Sequence, residues 1–177
     1  MNAMTSRIAG AGALALGAAL AIGVGAPATA AAAQCPTPQL RASQGQGEGA
    51  AGTASVAMVL RYTGSGTCQL RGYPGMAFIG KSGATVRSTV KRGGSTVFPD
   101  RPPTTVSLRR GQAASYTLAW TDPQTTACPY TARVLVTPPG SRTSISLATP
   151  GSRAIPVCPG FPMIVSPVVA GTRGAGS

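Results

Sequence analysis

The chain has 177 residues, enough for one domain of ordinary size. With 43% hydrophobic and only 10% charged residues, it falls outside the disordered class, which combines low hydrophobicity with many charges. Fifteen basic residues against three acidic ones give a net charge of +12, and the absence of histidine removes the commonest general base and zinc ligand.

The first element is apolar. Arg7 precedes the run Ile8–Ala33, which is rich in Ala, Leu and Gly and closes on small residues. A basic start, an apolar stretch and an A-x-A end are the three parts of a secretory leader. Ala28-Thr29-Ala30 and Ala31-Ala32-Ala33 both fit the cleavage pattern, and Met4 is an alternative start. We expect a signal peptide over residues 1–33, a mature domain over 34–169 that begins at Gln34 and contains no membrane span, and a disordered small-residue tail over 170–177. The run is long enough to span a bilayer, but its Gly/Ala content and the Pro27 break favour cleavage. Lipidation at Cys35 is not expected, because Gln34 is not a small residue.

Past the leader, short β-branched stretches alternate with Gly, Pro and Ser, and no segment keeps a helical period. Gly45-Gln46-Gly47-Glu48-Gly49 reads as a flexible loop, since it lacks the Lys and the strand–helix context of a phosphate loop. Gly52–Tyr62 is the clearest strand, with Val56, Met58, Leu60 and Tyr62 on one face and Ser55, Ala57, Val59 and Arg61 on the other. Strands follow at Thr67–Leu70, Met76–Ile79 and Ala84–Val90; Lys91–Pro103 reads as a loop. Thr105–Leu108 and Ala113–Thr121 read as a hairpin around Arg109–Gln112, with Ala114, Tyr116, Leu118 and Trp120 directed to the core. Tyr130–Thr137 and Arg142–Ala148 flank Pro138-Pro139-Gly140, and Phe161–Val169 is the last strand. Seven or eight short strands at intervals of roughly ten residues suggest an all-β sandwich or barrel, and a sandwich is preferred because the continuous apolar faces need a second sheet to cover them. The antibody signature is absent: Trp120 lies eight residues before Cys128, and Tyr130 follows that Cys rather than preceding it.

Cys35, Cys68, Cys128 and Cys158 all lie in the mature part, and an even count in an exported chain reads as disulfides. A zinc site would want C-x-x-C pairs, and the shortest gap here is thirty residues. Three pairings are possible. Strand direction favours Cys35 with Cys68 and Cys128 with Cys158, because a strand after Cys35 and its antiparallel return through Tyr62 end on the same side, as do the arms around Pro138-Pro139-Gly140.

Val59-Leu60-Arg61-Tyr62-Thr63-Gly64, followed by Cys68-Gln69-Leu70-Arg71-Gly72-Tyr73-Pro74-Gly75, resembles the C-x-L-x-G-Y-P core of domain of unknown function family 4232. Val106–Gly111 with Ala114–Trp120 resembles its L-x-x-G…A…L-x-W segment, and Cys128 with Val134–Pro139 its closing strand. The departure is Tyr62-Thr63, where the family pattern has an Asn before the turn. The likeness spans Cys35 to Val168. It implies an immunoglobulin-like sandwich on an exported protein of high-GC Gram-positive bacteria; the family has no assigned activity, so the resemblance adds nothing about catalysis.

The chemical inventory is small. The acids are Glu48, Asp100 and Asp122, each in a Gly- or Pro-rich stretch. A glycosidase needs two facing carboxylates and calcium needs several oxygens, so neither a catalytic site, a metal site nor a cofactor is expected. The alternative is a secreted hydrolase with an unusual site built on Asp100 and Asp122. Charge is the stronger signal: loss of Arg7 with the leader still leaves +11. Arg61, Arg87 and Arg133 fall on faces opposite the core, and Lys91, Arg92, Arg109 and Arg110 fall in turns. Scattered bases that aid solubility are the plain reading. The functional reading is a secreted or wall-associated binding or structural module in which Lys91, Arg92, Arg109 and Arg110 hold an anionic envelope polymer or an acidic protein. Nucleic acid is not the expected partner, since the bases are not interleaved with aromatics. Tyr73 is read as packing or turn stacking before contact.

Overall fold

The computed structural model describes residues 33–50, 52–121 and 127–176. The chain divides into Met1–Ala30 and Ala31–Ser177. The first unit, and with it the expected leader apart from Ala33, lies outside the described residues, as does Asp122.

Twelve strands follow in chain order: β1 (Leu40–Ala50), β2 (Thr53–Tyr62), β3 (Thr67–Arg71), β4 (Gly75–Gly80), β5 (Thr85–Val86), β6 (Val90–Arg92), β7 (Thr105–Arg109), β8 (Ala113–Thr121), β9 (Thr131–Thr137), β10 (Ile145–Ala148), β11 (Met163–Val165) and β12 (Val169–Ala170). The only helical turns among the described residues are the 3₁₀ turns Thr37–Gln39 and Gly151–Arg153. The count exceeds seven or eight because two expected strands are split. Ala84–Val90 becomes β5 and the start of β6, and Phe161–Val169 becomes β11 and β12 around Ser166-Pro167.

The largest sheet runs β1-β2-β8-β11-β6, with β12 also paired to β8; a second runs β10-β9-β4-β5, and a third is β3-β7. All three turn apolar faces into one core, with Met58, Leu60 and Tyr62 from β2 and Tyr116 and Leu118 from β8. Opposite them lie Leu70, Phe78, Leu108, Val134 and Val136. This is the all-β sandwich that the alternating segments predict. The staples join Cys35 to Cys68 and Cys128 to Cys158. Leu40 pairs with Tyr62 just after Cys35, which sets the first bridge at the Tyr62 end of the large sheet. Cys158 lies five residues before Met163, which pairs with Trp120, so the second bridge lies toward the Trp120 end.

Three expectations are corrected. The segments around Arg109–Gln112 do not form a hairpin: β7 pairs with β3, whereas β8 pairs with β2. Alternation fixes which side chains face inward but not which strand lies alongside, and this turn carries the chain between sheets. Gly45–Gly49 is not a free loop but part of β1, held to β2 by backbone pairing that needs no side chains. The tail is not loose over 170–176. β12 pairs with β8, the Gly174 N–H donates to Ser115 Oγ (2.9 Å), and the Ala175 N–H donates to Thr117 Oγ1 (2.8 Å). Ala175 is buried there. Gly174 has φ +78°, and a Cβ at that position would collide with Thr117 Oγ1, so the strap needs glycine at this point. Ala57, Ser115 and Thr117, on the face of the large sheet away from the core, are buried for this reason.

Candidate anion-binding site

The Tyr62 end is built from the inside outward. Leu40 and Tyr62 face each other across β1 and β2 and are both buried. Side chains alternate along a strand, so their neighbours Arg41 and Arg61 project from the opposite face, where both are exposed. Arg41 and Arg61 are themselves a cross-strand pair. Like charges placed directly opposite each other destabilise a sheet, by a fraction of a kcal/mol, on the order of 0.2–1.

The Arg109–Gln112 turn closes against the same end. Its own shape is set by the Arg109 N–H bonding Gln112 Oε1 (2.8 Å) and the Gln112 N–H bonding the Arg109 carbonyl (2.9 Å). The Gly111 N–H donates to the Tyr62 carbonyl (2.8 Å), and the Tyr62 N–H donates to the Gln112 carbonyl (2.9 Å). An Arg61 Nη1 N–H donates to the Gly111 carbonyl. Arg109 and Arg110 are thereby brought beside Arg61. On the other side, Arg41 Nη1 donates to the carbonyls of Pro38 (3.0 Å) and Leu40 (3.2 Å). A guanidinium carries five N–H groups, so most of those on Arg41 and Arg61 remain for an outside acceptor. Planar, forked donors of this kind match carboxylate and phosphate oxygens in pairs.

Beneath the arginines the end is fully pinned. The Tyr62 hydroxyl donates to the Ser65 carbonyl (2.8 Å) and lies 3.0 Å from Gln39 Oε1. The Thr63 N–H and hydroxyl both donate to the Gln39 carbonyl (2.8 and 3.0 Å). A Cβ at Gly64 would displace Gln39 Oε1 and the Tyr62 hydroxyl, so glycine there leaves their hydrogen bonds in place.

The four bases singled out from sequence do not form one patch. Lys91 and Arg92 lie in β6 rather than in a turn, where parallel pairing with β11 sets Lys91 opposite Ile164. Ile164 pairs with Ala119, and Ala113 opens the strand next to Arg109–Gln112. The six steps from Ala113 to Ala119 span about 20 Å, at roughly 3.3 Å each. Arg92 instead sits 5.9 Å from the ring centre of half-buried Tyr73, a cation–π contact. Arg109 and Arg110 lie in the turn that Arg61 bonds, and Arg41 lies across from Arg61 at the same end. Sequence put Arg61 on an outward face but gave no sign of Arg41, whose position depends on the β1–β2 register.

Of the acids, Glu48 lies in β1 and Asp100 in the loop after β6, both exposed. Among the described residues no three His, Cys, Asp or Glu side chains group to hold a metal ion. No described helix is long and apolar enough to cross a membrane.

Fold and site together define a disulfide-stapled β-sandwich with an arginine-bearing end. Its family is settled by a match over residues 35–168: the chain belongs to the family described as Domain of unknown function (DUF4232). The C-terminal strap lies beyond the matched stretch. Comparison with curated proteins and with solved structures finds no match.

Proposed function

We propose that this chain is an exported, non-catalytic binding module that holds an anionic polymer of the cell envelope, or an acidic protein, through Arg41, Arg61, Arg109 and Arg110. The observation that carries the reading is the Arg41–Arg61 pair. Two cations set face to face lower stability unless an anion lies across them. Export is supported by the leader pattern and by two disulfides in a chain with no free cysteine. The absence of histidine from the sequence and the scarcity of acids support a non-catalytic role.

The test is retention on isolated cell envelope, with soluble polyphosphate as a defined probe. Four phosphate contacts predict a loss of affinity on the order of 50-fold between about 50 and 200 mM salt, through counterion release. Replacing Arg41, Arg61, Arg109 and Arg110 together by Gln should abolish retention, whereas Lys91→Gln with Arg92→Gln should leave most of it. Retention indifferent to salt, or equal loss in both variants, overturns the reading. A hydrolytic activity removed by Asp100→Asn or Asp122→Asn would reverse the non-catalytic part.

A further inference from the structure

The opposite end of the large sheet has a different construction. The β1–β2 register shifts between Gln44 and Gly47, a bulge that sets one extra residue of β1 against β2. Beyond the bulge Gly47 pairs with Val56, a core residue, so an inward-facing position of this edge strand carries no side chain. A cavity of about 340 Å³ opens there, lined by Gln44, Gly47, Glu48, Trp120, Ser152 and Arg153 among others. Its volume lies at the low end of the range for small-ligand sites, about 300–1,000 Å³.

Two atoms in its lining residues are unexplained by the fold. Gln44 Nε2 donates to the Arg153 carbonyl (3.0 Å), but Gln44 Oε1 and Trp120 Nε1 are shielded from solvent with no hydrogen-bond partner. Buried polar groups are nearly always paired, so an orphan acceptor and an orphan donor from residues lining one cavity call for a missing group. A ligand there must offer both a donor and an acceptor, at separate points. Hydroxyls supply both.

We infer that this cavity binds a neutral sugar ring. One sugar hydroxyl accepts from the Trp120 indole N–H and another donates to Gln44 Oε1. Ser152, Glu48 and Arg153 offer bonds to the remaining hydroxyls. Glu48 and Arg153 carry opposite charges, so the cavity selects no net charge, in contrast to the arginine end. Both orphan atoms are shielded from solvent in the free protein, and entry of the sugar exchanges the Gln44–Arg153 bond for several. The site is independent of the arginine cluster, because Trp120 pairs with Ala54, seven residues along β2 from Arg61.

Trp120 is the chain's single tryptophan, so its emission reports on this cavity alone. The full mature chain, both disulfides intact, is titrated with cellotriose, maltotriose and tri-N-acetylchitotriose at up to millimolar concentration. At least one should give a saturable shift in emission. Gly47→Leu, which fills the cavity, should abolish the response, and Gln44→Ala should weaken binding about tenfold, one hydrogen bond's worth. Circular dichroism checks that each variant folds, and Gln44→Ala carries the test alone if Gly47→Leu does not. Arg41→Gln with Arg61→Gln should leave the sugar response intact even where it removes polyphosphate binding, which separates this site from the first. The inference is overturned if no trisaccharide gives a saturable change, if the response survives unaltered in Gln44→Ala, or if polyphosphate produces the same shift.

Discussion

The two ends of the large sheet solve the same closure problem in opposite ways. At the Tyr62 end, side-chain and backbone polar groups lock the turn after β2, the turn before β8 and the entry to β1 into one connected set. At the Trp120 end, the edge strand bulges, glycine replaces an inward side chain, and two polar atoms are left without partners. A closed end can hold charge on its surface in a fixed arrangement, and an open one can admit a ligand. The contrast teaches that hydrogen-bond satisfaction, more than apolar burial, distinguishes the two ends of this sheet.

Each end has its own disulfide, and removing either gives the largest expected effect. The bridged cysteines are 33 and 30 residues apart, so the chain-entropy model assigns each bridge about 3–4 kcal/mol. Against a net stability of about 5–15 kcal/mol, the loss of one is severe. Cys35→Ala with Cys68→Ala and Cys128→Ala with Cys158→Ala should lower the urea midpoint by nearly equal amounts. A much smaller effect at the Trp120 end would mean that this end is already loose in the native state, which would sharpen the contrast between the two.

The next test is one substitution made twice. Tyr62→Phe removes a hydroxyl bonded to the Ser65 carbonyl and near Gln39 Oε1, and should cost about 1–2 kcal/mol. Tyr116→Phe removes a hydroxyl that is fully buried and unpartnered, and should be neutral or stabilising by up to about 1 kcal/mol. Burial also pushes the Tyr116 hydroxyl pKa above its ordinary value. The folded state then keeps a proton that the unfolded chain loses above about pH 10, so the contribution is fully present below that pH and erodes above it. Urea midpoints measured from neutral pH upward should show part of this alkaline loss disappear in Tyr116→Phe. Equal effects of the two substitutions at neutral pH would break the link between partnered hydroxyls and the closed end.

How far these features could be read from the chain depends on which force sets each one. The faces of β2 and β8 were legible because Val56, Met58, Leu60 and Tyr62, and likewise Ala114, Tyr116 and Leu118, alternate with period two. Partners were not legible. The β7 and β8 segments look like hairpin arms, yet each pairs with an earlier strand, since periodicity carries no information on long-range pairing. The strap over 170–176 escaped because its hold includes two backbone N–H groups on Ser115 and Thr117, and a stretch of Gly and Ala around Thr172 and Arg173 gives no hint of that. Half of the arginine site was visible as the Arg109-Arg110 turn. Arg41 was not, because only the register across two strands sets it opposite Arg61.

The smallest expected change in stability is the one that ties this geometry to a role. Arg41→Gln or Arg61→Gln relieves a like-charge cross-strand pair, so either should raise stability by a few tenths of a kcal/mol, more at low salt than at high. Arg61→Gln also disturbs the bond to the Gly111 carbonyl, so Arg41→Gln is the cleaner variant. A residue kept only for structure should lose stability when replaced. One kept for an anion should gain stability alone and lose it relative to wild type once polyphosphate is present. Melting curves with and without polyphosphate, at two salt concentrations, separate these outcomes. If Arg41→Gln is destabilising in both, the arginine pair belongs to the fold and not to a binding surface.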